Sequence, residues 1–228
     1  MLIPSIDLMG GKIVQLVQGT RKALEFSDFE EWIARFSRFP LVQLIDLDAA
    51  IGSGSNRELI GHFASRLPCQ VGGGIRSVQT AQDMLTTGAE RVILGSCLIR
   101  EGRPDAEFAE EAALAVGPEH LVFATDSKGG TVSIRGWREQ TAITPLEMIQ
   151  TLNPWCSAFL YTHIDTEGLM QGIPVETVHQ LRKATARQMI TAGGISTTQQ
   201  IEQLDALGID AVVGMAIYTG KIDLTSVR

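Results

Sequence analysis

Two aspartates stand where apolar runs end. Asp7 closes Leu2-Ile3-Pro4-Ser5-Ile6, and Asp126 follows Leu121-Val122-Phe123-Ala124-Thr125. A carboxylate at the end of a continuous apolar strand is costly to leave there without purpose, because partial burial disfavours its charge. Two carboxylates in slightly different environments can divide the work of proton donor and proton acceptor, which is what isomerisation at adjacent carbons requires. The plainer alternative is a pair of strand-end caps. Thr162, ending another run, offers a small hydroxyl for a substrate or a carboxylate. Asp46 and Asp48 read more simply as acceptors for neighbouring loop amides, and His163 as a structural or solvent-facing histidine. No Ser-His-Asp arrangement appears, and no lysine ends a strand.

Four glycine turns add a second kind of chemistry. Gly72-Gly73-Gly74-Ile75-Arg76-Ser77 and Gly95-Ser96 lie in the first half of the chain, Gly193-Gly194-Ile195-Ser196 and Gly214-Met215 in the second. Backbone N–H groups at such turns, opening onto a helix start, bind an anion without a charged side chain. Two such pairs imply a long substrate with a phosphate at each end. Tight turns alone are the alternative for any single Gly-Gly, but the repetition at matching places weakens it.

The elements that must position these residues are short and regular. Apolar runs at 2–6, 41–47, 69–71, 91–94, 121–125, 158–162, 188–191 and 211–213 are nearly all continuous rather than alternating, which predicts strands buried on both faces. Helical spacing lies between them: Phe29, Ile33 and Phe36, then Val178, Leu181 and Ala184. Ser77 and Thr197 read as N-caps for helices over 78–87 and 198–207, with Gly88 and Gly208 at their ends. Eight strand and helix units in 228 residues predict an α/β fold, a single (β/α)8 TIM barrel. An internal repeat supports it. Ile6-Asp7 through Gly10-Gly11 recurs 119 positions later as Thr125-Asp126 through Gly129-Gly130, and Gly73-Gly74-Ile75 recurs as Gly193-Gly194-Ile195. Each half-barrel, approximately 1–119 and 120–228, cannot close alone, so one domain over 1–228 is expected, with Asp7 and Asp126 facing each other across its mouth. The chain is slightly short for such a barrel, which typically has ~250 residues, and the shortfall is expected in the final helix.

Composition removes other classes. Nineteen basic against 26 acidic residues give a net charge of −7, so no global footprint for nucleic acid or an anionic membrane exists. No apolar run approaches the ~20 residues of a membrane helix, and the N-terminus carries no signal pattern; a soluble, cytoplasmic protein is expected. Cys69, Cys97 and Cys156 are odd in number and far apart. With no zinc-type histidine spacing either, neither a disulfide framework nor a metal is expected, and buried thiols are the better reading.

The chain resembles the histidine-biosynthesis isomerases that act on phosphoribosylformimino aminoimidazole carboxamide ribotide (ProFAR). The resemblance runs over nearly the whole length. Its motifs are Ile6-Asp7-Leu8 with Gly11-Lys12, Leu16-Val17-Gln18-Gly19, Asp46-Leu47-Asp48-Ala49-Ala50, Gly72-Gly73-Gly74-Ile75-Arg76, Arg135-Gly136-Trp137, Tyr161-Thr162 with Gly168, and the two C-terminal glycine turns. It implies an Amadori rearrangement of an aminoaldose to an aminoketose on a bisphosphorylated small molecule, by a monomer using neither metal nor organic cofactor. Carried onto this chain, Asp7 is the base at C2, Asp126 the acid that opens the ribose ring, and Thr162 a positioning hydroxyl. An acid of that kind must hold a proton near neutral pH, so a raised pKa is expected for Asp126 in the complex. Gly73, Gly74, Arg76, Gly95, Ser96, Gly193, Gly194, Gly214 and Met215 are the corresponding phosphate and substrate contacts. The related cyclase family shares barrel, glycine turns and aspartates, but Trp137, able to stack on a flat imidazole, favours the isomerase. Arg135-Gly136-Trp137 is also similar to a bifunctional actinobacterial form that isomerises phosphoribosyl anthranilate as well, where Arg135 could hold the anthranilate carboxylate. A noncatalytic phosphosugar-binding barrel is the remaining alternative.

Four positions depart from the family pattern. Gln15 replaces an arginine that contacts substrate, at a cost to binding of ~1.5–3 kcal/mol. Glu167 replaces an aspartate, His163 an acidic residue, and Met215 a lysine. Gln15 is expected to disfavour the anthranilate substrate.

Overall fold

The expected strands form β1 (Leu2–Met9), β2 (Val42–Asp46), β3 (Cys69–Gly72), β4 (Arg91–Leu94), β5 (Leu121–Ala124), β6 (Ala158–Thr162), β7 (Gln188–Ala192) and β8 (Ile209–Val213). They come from a computed structural model that describes residues 1–224. All eight run parallel in chain order, and β8 returns to β1 through Leu2↔Ala211 and Ile3↔Val212, closing the sheet into the (β/α)8 barrel.

Alternation within each strand explains why the runs read as continuous. In β6, Ala158 and Leu160 join Ile3, Ile93, Val122, Ala124, Ile190 and Val212 inside the barrel, while Phe159 and Tyr161 pack outward under the helices. Both faces are dry, so both must be apolar. The same period of two carries function upward. Asp7 is in step with Ile3, Asp126 with Val122 and Ala124, and Thr162 with Ala158 and Leu160. All three therefore project inward at the C-terminal end of the barrel. Its other end is sealed by a hydrogen-bonded layer: Gln70 Nε2 donates to Gln43 at 2.9 Å, Arg91 to Gln70 and Gln188 at 2.8 and 2.6 Å, and Gln188 to Asp210 at 2.6 Å.

The helices that cover the barrel have the expected ends. Ser77 Oγ accepts from Thr80 N and Thr197 Oγ1 from Gln200 N, both at 3.2 Å, starting helices Val78–Thr86 and Thr198–Ala206. Gly88 and Gly208 follow their ends with φ of 113° and 67°. Helix Phe29–Phe36 buries Trp32, Ile33 and Phe36. Among the described residues the last α-helix is a single turn, Met215–Tyr218. Among the described residues no helix is long and apolar enough to cross a membrane.

One expectation needs correction. Asp7 does not close the first strand, because β1 continues to Met9 and folds back as a hairpin with Lys12–Val17 and then Arg21–Phe26. Gly10 and Gly11 have φ of 58° and 74°, the two successive left-handed residues that a tight hairpin turn requires. After β5 the pattern recurs: Ser127–Lys128 pairs with Thr131–Ile134 about Gly129 and Gly130, at φ of 56° and 89°.

Candidate active site

The mouth of the barrel holds a cavity of about 590 Å³. Asp7, Asp126 and Thr162 line it, and so does Glu167, which precedes Gly168 in the loop after β6. Few donors reach Asp7. Ser5 Oγ lies 3.2 Å from Asp7 Oδ1, and burial outweighs that bond, pushing the carboxyl up to about 6. Asp126 is better held. Its carboxyl is also raised by burial, but Trp137 Nε1 donates to Oδ2 at 2.8 Å and the Thr162 hydroxyl bonds to it too, both favouring the charged form. Glu167 is pushed up to about 8 by burial and then by the charges of Asp7 and Asp126. It is therefore mostly protonated at neutral pH, and three carboxyls share one mouth without three charges.

The glycine turns surround these groups. A Cβ on Gly73 would meet the Asp46 carbonyl oxygen at 2.2 Å, and one on Gly193 the His163 carbonyl oxygen at 2.4 Å. Both residues have left-handed φ, 100° and 112°, so each turn is closed to any larger residue. Gly73, Gly74, Arg76, Gly95 and Ser96 lie with the first turn pair, Gly193, Gly194, Gly214 and Met215 with the second, and all line the same cavity. Two of these side chains are also engaged elsewhere. Arg76 Nη2 donates to the Ala50 carbonyl at 2.7 Å, closing helix Leu47–Ile51, and Ser96 Oγ accepts from Arg135 N at 2.8 Å.

Arg135, Gly136 and Trp137 form the turn after Thr131–Ile134, with φ of 56°, 65° and 65°. Left-handed backbone at non-glycine residues costs about 1–3 kcal/mol each. The turn is wedged in place: a Cβ on Gly136 would meet Ile51 at 2.8 Å, and one on Gly19 would meet the Trp137 ring at 2.6 Å. Arg135 pairs with exposed Glu139 at 3.3 Å, and Arg138 joins Arg76 and Arg135 in a side cavity of about 380 Å³.

With this geometry the comparisons agree. A family model described as "Histidine biosynthesis protein" matches residues 1–223. The chain belongs to that histidine biosynthesis family. Among its relatives, a protein of Methanocaldococcus jannaschii is 37% identical over 98% of this chain and 95% of its own length. One of Methanosarcina barkeri is 36% identical over 98% and 94%, and one of Thermus thermophilus 35% identical over 98% and 96%. Each of the three is named as a 1-(5-phosphoribosyl)-5-((5-phosphoribosylamino)methylideneamino)imidazole-4-carboxamide isomerase.

Against the family pattern, the four departures have definite places. Gln15 is buried, donates through Nε2 to Val14 O at 2.9 Å, and puts Oε1 2.6 Å from where a Gly214 Cβ would be; a neutral amide thus faces the second glycine pair. Met215 is buried beside it. His163 Nδ1 lies 2.9 Å from the Tyr161 hydroxyl. Glu167 is the residue that sequence reasoning left out of the site. Its signal was the glycine after it: Gly168 packs so closely on Leu16 O, 2.4 Å from a Cβ, that the loop is pinned beneath the β1 hairpin with Gln18 N bonded to Glu167 O at 3.0 Å. Asp46 spends its carboxylate on structure, accepting from Asn56 N, Asn56 Nδ2 and Ala49 N at 2.7, 2.8 and 3.1 Å. Burial pushes all three cysteine thiols up to about 12, leaving them unreactive. Among the described residues no cluster of His, Cys, Asp and Glu could hold a metal ion.

Proposed function

We propose that this chain is the ProFAR isomerase of histidine biosynthesis, converting an aminoaldose to an aminoketose by aspartate acid and base catalysis. The observation that carries the reading is the pair Asp7 and Asp126, inward-facing from corresponding strands and in different environments. Asp126, protonated in the complex, gives its proton to the ribose ring oxygen as the C1–O bond breaks and the electron pair stays on that oxygen, leaving a protonated imine at C1. Asp7 takes the proton from C2, and the C–H electrons form the enaminol. The Asp7 proton then goes to C1 while the C2 hydroxyl proton leaves to solvent, completing the ketone, and Asp126 regains its own proton from solvent, so that both carboxyls are restored. Thr162 positions Asp126, and protonated Glu167 spares the arriving bisphosphate a third negative neighbour. The two glycine pairs hold the two phosphates by backbone N–H groups, with Ser96, Arg76 and Met215 beside them, and Trp137 covers the imidazole.

A binding module has no need of two buried carboxyls that are both raised by burial and bonded to different donors, and this favours the enzyme over the noncatalytic barrel. Arg135 at the cavity rim supports a second reading, in which phosphoribosyl anthranilate is also accepted; neutral Gln15 opposes it. A spectrophotometric assay of the purified protein on ProFAR tests the first reading, and turnover with loss in both Asp7→Asn and Asp126→Asn supports it. Full activity in either variant overturns the assigned role. The same assay on phosphoribosyl anthranilate tests the second, with comparable turnover on both substrates contradicting the effect given to Gln15.

A further inference from the structure

Trp137 does something in the ligand-free site that stacking on a substrate does not explain. Its indole N–H sits on Asp126 Oδ2 at 2.8 Å, and the Thr162 hydroxyl supplies the same carboxyl with a second donor. These donors are not equivalent. A hydroxyl can turn and accept a proton's hydrogen bond, whereas an indole N–H can only donate. Thr162 is therefore compatible with either form of Asp126, and Trp137 opposes protonation of the oxygen that it covers. The ring oxygen of a sugar carries no hydrogen, so a carboxyl that is to open the ring must be the donor. With the indole in place, Oδ2 can only accept, and the charged form of Asp126 is favoured. The arrangement is a held one, since the turn is left-handed at three successive residues, wedged against Gly19 and Ile51, and tied by Arg135 N to Ser96 Oγ at 2.8 Å.

We propose that Trp137 is a positioning residue that biases the proton state of Asp126: its N–H favours the carboxylate in the free enzyme and, on leaving to cover the substrate, lets Asp126 take a proton from solvent more readily and become the ring-opening acid. The proposal rests on the isomerase reading for the purpose of that proton, but the Trp137–Asp126 contact is read without substrate. Asp126 also faces Asp7 from β1 and Glu167 from the loop after β6. Lys22, Lys128, Arg76, Arg135 and Arg138 line the same mouth.

Nitrogen-15 NMR of the indole groups in the substrate-free protein tests the contact. The chain has three tryptophans, and the Trp137 signal is the one missing from Trp137→Phe. It is expected to follow a pH transition that disappears in Asp126→Asn and survives in Glu167→Gln. A signal insensitive to pH, or a transition that persists in Asp126→Asn, overturns the proposal; so does one lost in Glu167→Gln, which would assign the proton to Glu167. Kinetics then test the consequence. In Trp137→Phe the high-pH limb of kcat/KM, which reports free enzyme, should move up by about one unit, while the limb of kcat stays, because the indole has already left Asp126 in the complex. Limbs that move together, or not at all, overturn it. Absence of ProFAR turnover by the wild type with a normal indole titration would instead overturn the isomerase reading alone.

Discussion

Gly73 and Gly193 occupy matching places in the two half-barrels, and the carbonyls that crowd them, Asp46 and His163, match as well. Gly95 and Gly214 share ψ of −92° at the start of the next turn, and Ser77 and Thr197 cap their helices with φ of −144° and −138°. Even the hairpins correspond, since Gly10-Gly11 and Gly129-Gly130 turn alike. The halves part company at the carboxylates. Asp7 has Ser5 as its side-chain donor and is pushed up to about 6, whereas Asp126 is bonded by Trp137 and Thr162. The backbone geometry is alike at the glycine turns that, in the proposed function, would hold the two phosphates. The side-chain surroundings differ at the two carboxyls, which the proposed reaction would use as base and acid.

Substitutions in matched pairs can break or sharpen that contrast. The largest expected effect is in Asp7→Asn, which should lower kcat on ProFAR by about 10⁴-fold, against about 10²-fold for Asp126→Asn, because a ring oxygen can also take its proton from water whereas the C2 proton leaves only to a base. Equal losses would mean that the carboxylates are not differentiated as described. Next come Gly73→Ala and Gly193→Ala, where a methyl group must enter a backbone contact at positive φ; each should cost about 3 kcal/mol in denaturant unfolding, and alike. A large inequality would contradict the structural duplication. Asp46→Ala and His163→Ala should differ instead: loss of the Asp46 acceptor strands Asn56 and Ala49 and should cost about 2 kcal/mol, while His163→Ala should cost under about 1 kcal/mol.

The smallest effect concerns pH. Asp7 and Glu167 bind protons more tightly folded than unfolded, so their contribution to stability is fully present below their unfolded values, near 4, and is lost as pH rises through about 6 and about 8. Glu167→Gln should therefore raise Tm at pH 8 and change it little at pH 4. A gain that is the same at both pH values would show that Glu167 acts through something other than its proton.

Much of this was legible in the residues. Strands such as Ala158–Thr162 announce themselves because both of their faces are apolar, and once the barrel is granted, the two-residue period places Asp7, Asp126 and Thr162 inward without further information. The hairpin after β1 was not legible in the same way. Its strand Arg21–Phe26 is largely exposed and carries no apolar run. Glu167 was hidden for a related reason, since its burial depends on that hairpin folding over its loop through Gln18 and Leu16. Trp137 was visible as a ring that could stack, but its bond to Asp126 depends on three consecutive left-handed residues, two of which are not glycine.

The division of labour between the halves is tested most directly by deuterium exchange. The aminoketose product is already open-chain, so removing a C1 proton from it needs the base and no ring-opening acid. Incubated with product in deuterium oxide and followed by proton NMR, Asp126→Asn should still exchange deuterium into C1, and Asp7→Asn should not. Equal loss of exchange in both variants, or its survival in Asp7→Asn, would contradict the account.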